Sequence, residues 1–236
     1  MLEYTLKRSR RRKTVAIKVQ QQTLTVYAPY GVAKQYIEQW LATKQDWIAH
    51  QISKQSQQLD TRQRPLQSSQ IQLFDTPLSV QFDIGKTSRW QFFSTQSPAL
   101  LHISCSGRVK NIYAMYQTQL EDFMREQLEH YIEMRIQQYC SVMGEALPNN
   151  LKITTYKRRW GSCNQRRELT FNLLLASAPH WVIDYVVVHE LAHMKYLNHS
   201  ALFWQRVSEF YPDYKHATQW LKQHGGGLQW VFGYTV

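Results

Sequence analysis

Residues 186–204, VVVHELAHMKYLNHSALFW, constrain the fold more than any other part of this sequence. The residues ahead of the first histidine are apolar enough to require a buried helix, which we expect to begin near Pro179 and to end at about Tyr196. His189 and His193 stand four residues apart, so their side chains leave one face of that helix, one turn apart. A buried helix with polar groups on one face predicts the floor of a cleft.

The spacing of these two histidines lets both imidazoles reach one metal ion. Glu190 follows His189 and points to the neighbouring side, where it can hold a water without binding the metal itself. The pattern His-Glu-x-x-His is typical of zinc hydrolases. The alternative is a structural helix whose histidines have ordinary hydrogen-bond partners.

A zinc site of this kind needs three protein ligands and one open position, so a third ligand has to be found. His199, six residues after His193, is the first candidate. The competing candidates are Glu209, His216 and His224.

The spacing of His199 resembles that of metzincins, but two features exclude that group. Tyr196 stands where a metzincin has glycine, and no methionine follows Met194 to form a Met-turn. The helix can still end nearby if Asn198 takes a left-handed conformation and Ser200 caps the next helix. His199 would then face back towards the metal.

These residues predict one Zn²⁺ per chain, with another divalent transition metal such as Mn²⁺ or Ni²⁺ as an alternative. Glu190 would act as general base, taking a proton from the attacking water and passing it to the leaving amine. The candidates for a further oxyanion donor are Arg158, Asn172, Tyr211 and His216. Arg158 and Arg159 either bind an anionic group of the substrate or are solvated surface residues.

Other patterns outline an α+β fold. Alternation at residues 14–19 and 23–29 predicts a β-hairpin with a Gln-rich turn, and the periodicity of about 33–57 predicts one long helix. Short alternating runs between 71 and 105 predict an antiparallel meander. A second long helix is expected over about 112–143, ended by Gly144 and Pro148, followed by strands at 151–156 and 168–173 that a loop with Gly161 joins.

Positive charge is concentrated near the N-terminus. The formal net charge is +11; residues 1–70 hold 12 Lys and Arg against 4 Asp and Glu, whereas residues 111–150 hold 2 against 6. The densest run is KRSRRRK at 7–13. It predicts either a surface that attracts nucleic acid or nucleotides, or a solvated strand or turn.

The cysteines and the apolar runs bear on the compartment. Cys105, Cys140 and Cys163 are scattered, odd in number and form no CxxC pair, which fits a reducing compartment. No apolar run reaches the roughly 18 residues of a spanning helix, and no apolar segment follows the basic N-terminus. We therefore expect a cytoplasmic protein without a membrane partner.

Several motifs together resemble the YgjP-like predicted metal-dependent hydrolases, a minimal zincin group distantly related to SprT-like proteases. The matching stretches are RRWGSC (158–163), FNLLLASAP (171–179), DYVVVHELAH (184–193), NHSALFW (198–204) and YPDY (211–214). The resemblance implies metal ligands at His189, His193 and His199, with Glu190 as base. It also extends to the N-terminal part, through the basic hairpin, Pro29 and Trp47.

The sequence thus predicts a β-rich basic lobe with one long helix at 1–108, followed by a zincin-like metallopeptidase lobe at 109–236. The leading function is a zinc-dependent metallopeptidase that cleaves a peptide or protein substrate. One alternative is a metal-dependent nucleoside triphosphate pyrophosphohydrolase in which Arg158, Arg159 and the basic N-terminus hold phosphates. Another is a nucleic-acid-associated SprT-like protease.

Overall fold

The structure, a computed structural model, describes residues 3–20 and 23–233; the side chains of 54, 55 and 57–60 are outside that description. The chain forms two compact units, Met1–Thr61 and Arg62–Val236. This division differs from the predicted one at 108/109. The reason is that the sheet at 70–106 packs its apolar face on the long helix that follows it, so the two share one core.

The first unit is a small sheet with two helices. Strands β1 (Thr5–Ser9) and β2 (Ala16–Gln20) flank β3 (Thr23–Pro29), which is parallel to β1 and antiparallel to β2. The β2–β3 pairing agrees with the predicted hairpin, and the predicted turn falls partly on residues 21 and 22, outside the described residues. The apolar core of this unit consists of Leu24, Val26, Ala28, Ile37, Leu41 and Ile48.

The single long helix predicted for 33–57 is wrong. The structure has two helices, α1 (Lys34–Ala42) and α2 (Gln45–Asp60). At the break, the hydroxyl of Thr43 donates to the carbonyl of Trp40 at 2.8 Å, and the N–H of Lys44 donates to Leu41 at 3.0 Å. These local bonds tighten the last turn, which the apolar periodicity alone could not reveal.

The second unit contains the remaining elements, which surround one long helix. In chain order they are α3 (Pro65–Ser68), β4 (Gln70–Leu73), β5 (Thr76–Gly85), β6 (Arg89–Phe93), β7 (Leu100–Ser106), α4 (Ile112–Met143), β8 (Asn150–Thr154), β9 (Gly161–Cys163), β10 (Glu168–Asn172), a 3₁₀ turn (Leu173–Ser177), α5 (His180–His193), α6 (Ala201–Phe210), α7 (Tyr214–His224) and a 3₁₀ turn (Gly225–Gly227). This mixture confirms the predicted α+β class.

The region predicted as an antiparallel meander is a four-stranded sheet in the order β4-β5-β7-β6. β5 and β7 are parallel, so an all-antiparallel meander is wrong. β7 carries Leu101, Ile103 and Cys105, all fully buried. This strand lies in the interior of the sheet, between β5 and β6. Alternation reports which face of a strand is buried, whereas the order of the strands depends on the whole sheet.

Helix α4 is the central support of the second unit. The side chain of Asn111 caps its first turn by accepting from the N–H of Ala114 at 3.0 Å, and Gly144 ends it with a left-handed φ of 65°. One face buries Tyr116, Leu120, Phe123, Met124, Leu128, Ile132, Ile136, Cys140 and Met143. No helix within residues 3–20 and 23–233, α4 included, is both long and apolar enough to cross a bilayer.

An ion pair joins α4 to α5. Arg135 donates to both carboxylate oxygens of Asp184, at 2.7 Å and 2.6 Å, and the hydroxyl of Tyr131 donates to the first of them at 2.8 Å. The two charged side chains are 19% and 13% exposed, so water screens the pair only weakly. The ion pair fixes the position of α5 along α4. Asp184, its member on α5, lies five residues before His189.

Replacing Asp184 by Ala should destabilise the second unit by about 3–5 kcal/mol, because it leaves the Arg135 guanidinium buried without its counter-charge. Chemical denaturation monitored by circular dichroism measures this. Glu126→Ala, at an exposed position of α4, is the control and should cost far less. Equal losses for the two variants would contradict a structural role for the pair.

Candidate metal centre and active-site cleft

Helix α5 carries His189, Glu190 and His193 in its last turns. It begins directly after Pro179 and ends at His193, three residues before the predicted end, because the N–H groups of Met194 and Tyr196 bond to Leu191 and Ala192 and close the last turn. A short connection then leads to α6.

This connection brings His199 back towards α5. Ser200 caps α6, and its hydroxyl accepts from the N–H of Phe203 at 3.4 Å, which confirms the expected cap. The expected left-handed conformation of Asn198 is wrong, since the non-glycine residues with positive φ in the described chain are Ser69, Phe74, Asp75 and Arg167. The reversal is therefore made by the closed end of α5 and the start of α6.

Three imidazoles converge at this point. One nitrogen each of His189, His193 and His199 lie within 4.8 Å of one another, and the Nε2 atoms of His189 and His199 are 3.2 Å apart. No other group of three or more His, Cys, Asp or Glu with such geometry exists among the described residues. Glu209 is exposed on α6, His216 stacks on Trp181, and His224 packs on Trp220.

The other ring nitrogens of two of these histidines have partners of their own. Nδ1 of His189 is 3.3 Å from the hydroxyl of Tyr185, and Nδ1 of His193 is 2.9 Å from the carbonyl of Tyr196. Such contacts orient an imidazole and leave Nε2 available. Burial, followed by the neighbouring imidazoles, lowers the pKa of His189 to about 3, and burial also lowers the pKa of His193. Both are neutral near pH 7, which is the metal-binding form.

Phe203 packs against all three imidazole rings. Its side chain is fully buried, and its ring centroid lies 4.9 Å from His189, 4.4 Å from His193 and 4.8 Å from His199. Trp204 stacks on the outer side of His199 at 5.7 Å. Both aromatic side chains pack against the imidazoles and limit where those rings can point.

Glu190 is buried beside the histidines without a compensating partner. It is 4% exposed, and within the described part of the chain its Oε2 has no hydrogen-bond partner. Burial raises the pKa of Glu190 to about 8, while Arg159 acts in the opposite direction. Gly161 on β9 lies directly against it: a Cβ there would stand 2.6 Å from Cγ and from Oε1 of Glu190.

The wall opposite α5 is the loop before β9 together with β9 itself, which the sequence had assigned to a loop. Asn172 holds this loop in place, because its amide donates to the carbonyls of Tyr156 at 3.0 Å and Arg159 at 2.8 Å. Asn172 is only 2% exposed, so its side chain serves the scaffold and does not line the cleft.

The cleft between these walls and α7 has a volume of about 590 Å³. Its lining includes the predicted Arg158 and Arg159, and also Lys222 of α7. The lining further includes Trp160, Gly161, Ser162, Cys163, Tyr185, Thr218 and Leu221, beside the histidines and Glu190. Cationic side chains therefore border a site in which Glu190 is the one carboxylate among the described lining residues.

Two further predicted substrate residues lie outside this cleft. The Tyr211 hydroxyl donates to the carbonyl of Trp181 at 2.5 Å, and the His216 ring stacks on Trp181 at 4.6 Å. Lys222, Tyr185 and Thr218 were missed by sequence reasoning, since nothing in their local pattern marks them. For Gly161 the sequence did contain a signal, because this residue lies within the RRWGSC motif.

The donor set fits a single transition metal. Two nitrogens bound to a tetrahedral zinc at about 2.0–2.1 Å stand about 3.3 Å apart, close to the 3.2 Å between His189 and His199. The orphaned Oε2 of Glu190 is a further sign, because a buried carboxylate beside neutral imidazoles lacks a positive charge that a metal would supply.

Three imidazoles, one adjacent carboxylate and an open cleft are features of metal-dependent hydrolase sites. The sequence matches the YgjP-like, metallopeptidase domain family over residues 13–224. The chain therefore belongs to the YgjP-like family, which confirms the resemblance seen in its motifs.

No curated protein matches the chain. One solved structure does, the metallopeptidase zymogen of Pyrococcus abyssi abylysin, with 21% identity and a TM-score of 0.36 over 39% of this chain and 92% of that one. At that level of likeness, the assignment rests on the family match.

The burial of Glu190 gives a pH-dependent prediction for the metal-free protein. Its pKa rises on folding from the ordinary 4.5 to about 8, so its contribution to stability is present below about pH 4.5 and is lost as the pH rises through about 8. Each pH unit in that interval costs up to about 1.4 kcal/mol. Glu190→Gln stays neutral and should gain in Tm over wild type as the pH rises.

Thermal unfolding of chelator-treated protein at about pH 5 and about pH 8 measures this difference. Glu209→Gln, at an exposed position, is the matched control. Parallel Tm curves for wild type and Glu190→Gln would show that Glu190 is not buried in this way.

Proposed function

We propose that the protein is a zinc-dependent metallopeptidase, in which His189, His193 and His199 hold one metal ion and Glu190 is the general base. The observation that carries the proposal is the convergence of three imidazoles beside one buried carboxylate on an open cleft. Three imidazole ligands favour Zn²⁺ over Mg²⁺ or Ca²⁺, with Mn²⁺ or Ni²⁺ as alternatives.

A bound zinc ion would supply a Lewis acid and lower the pKa of a water towards neutrality. Glu190 takes the proton of the attacking water and delivers it to the amine as the C–N bond breaks. Burial raises the pKa of Glu190 in the metal-free protein, and the positive charge of a bound metal would lower it again, so that the carboxylate can accept and return a proton near neutral pH. Gly161 leaves room for this carboxylate, and Tyr185 and Tyr196 hold two of the imidazoles in orientation.

The cations of the cleft support a second candidate function. Arg158, Arg159 and Lys222 would bind the phosphates of a nucleoside triphosphate as well as the carboxylates of a peptide. The peptidase is preferred because phosphate chemistry commonly uses carboxylate-held Mg²⁺, and Glu190 is the one carboxylate lining this cleft. Parallel assays on unfolded protein and on a nucleoside triphosphate panel separate the two.

We also propose a cytoplasmic location. Cys105, Cys140 and Cys163 are free, and two of them are buried in the core. Free thiols of this kind are compatible with a reducing compartment.

Metal analysis tests the ligand assignment. Purified protein should hold about one transition-metal ion per chain, and His189→Ala, His193→Ala or His199→Ala should weaken binding by more than about 100-fold, since each removes a ligand. Elemental analysis after dialysis and chelator competition measure it. Glu209→Ala, His216→Ala and His224→Ala are matched controls that should keep the metal; loss of the metal in Glu209→Ala would assign the third ligand to α6.

Measurements of hydrolysis distinguish the proposed role of Glu190 as general base from a role as metal ligand. Glu190→Gln should keep its metal yet lose about 10²–10⁴-fold in kcat on an unfolded protein substrate, because the amide cannot accept the proton. Glu209→Gln is the control and should retain activity. Wild-type turnover by Glu190→Gln would exclude Glu190 as the base, whatever the metal content.

A further inference from the structure

The basic run of the first unit has no part in the proposed site. Arg10 and Arg11 form a turn after β1, and Arg12 and Lys13 continue the connection to β2. The side chains of all four residues are exposed. Among the described residues, none of the four forms an ion pair with a carboxylate.

Arg8 has a structural role, which distinguishes it from the four exposed cations at 10–13. Its guanidinium donates to the carbonyls of Pro29, Tyr30 and Val32, at 3.0 Å, 2.9 Å and 2.7 Å. These bonds tie the loop between β3 and α1 to the base of the basic run. The loop therefore presents the aromatic side chain of Tyr30 at a defined place beside the cations.

Two arginines of the run lie over aromatic rings. Arg10 stands over Tyr30 with its guanidinium carbon 5.8 Å from the ring centroid, and Arg12 stands over Tyr27 at 4.7 Å. The side chain of Tyr30 nevertheless remains 62% exposed. Its ring can stack on a further planar group while a cation is held next to it.

A groove lies beside Lys13, the last residue of the basic run. It has a volume of about 580 Å³, and Lys13 lines it together with Pro29, Tyr36 and Trp40. Tyr36 is 56% exposed. Exposed rings and exposed cations thus occur together at this part of the surface.

We propose that this basic–aromatic face, defined as Arg10, Arg11, Arg12, Lys13, Tyr30 and Tyr36, binds single-stranded nucleic acid. Cations that track a phosphate backbone, interleaved with rings on which bases stack, are the features of such sites. A duplex hides its base faces and would leave Tyr30 and Tyr36 without a partner. An acidic peptide would pair with the cations but offers nothing planar to the rings.

Removing the four positive charges tests the proposal. A fluorescent single strand of oligo(dT) or oligo(rU) is titrated with the full chain, and anisotropy is read at several salt concentrations. Replacing Arg10, Arg11, Arg12 and Lys13 together by Ser should lower the affinity at least about tenfold and reduce the salt slope by about 2–3, because each single-strand phosphate contact contributes about 0.7. Arg8 is left in place so that the loop keeps its anchor.

The matched control removes the same number of charges elsewhere. Lys86, Arg89, Arg108 and Lys110 are exposed in the second unit, and their joint replacement by Ser should leave affinity and slope unchanged. Equal losses in the two variants would mean that binding follows net charge, which overturns the proposal. So would an unchanged affinity in the first variant.

The rings are tested separately, with a variant that keeps every charge. Tyr30→Ala with Tyr36→Ala should lower the affinity about fivefold or more per stacked base and leave the salt slope unchanged. Tyr113→Ala, 49% exposed in the second unit, is the control. The proposal is overturned if the ring variant binds like wild type, or if a duplex or a poly-Glu peptide binds more tightly than the single strand.

Discussion

The loss of water around α5 sets the chemistry of this protein. Burial moves the two key pKa values in opposite directions: that of His189 falls to about 3 and that of Glu190 rises to about 8. At neutral pH the site therefore holds a neutral imidazole and a largely protonated carboxyl group. A cation placed among the imidazoles would reverse the second effect without opposing the first, because it favours the carboxylate and binds the neutral ring.

The rest of the second unit keeps this arrangement rigid. Arg135 and Tyr131 on α4 hold Asp184, so the position of α5 is set by a long helix whose own face is packed in the core. Asn172 does the same for the opposite wall by binding the loop carbonyls. Both supports are polar contacts that are largely shielded from water. Losing one partner would leave the other unpaired at a high cost in free energy, so these contacts favour a single geometry.

Sequence reasoning was strongest where a pattern is local. The one-face spacing of His189 and His193, the Ser200 cap and the Gly144 helix end each depend on a few neighbouring residues, and each is present in the structure. It was weakest where distant segments meet. The parallel pairing of β5 with β7, the edge strand β9 and the entry of Lys222 into the cleft depend on tertiary packing, which no period of 2 or 3.6 residues encodes. The same holds for Asn172, a candidate oxyanion donor by sequence, whose amide binds the carbonyls of Tyr156 and Arg159 in the structure.

The positive charge of the chain is best understood as two separate features. In the cleft, Arg159 lowers the pKa of Glu190 against the effect of burial, so it would weaken Glu190 in the proposed role of base. A substrate anion that pairs with Arg159 would offset that influence and leave Glu190 the stronger base for the bound substrate. Among the described residues, the cations at 10–13 form no ion pair with a carboxylate. The cleft arginine thus acts on the pKa of a buried acid, whereas the cations at 10–13 present exposed positive charge.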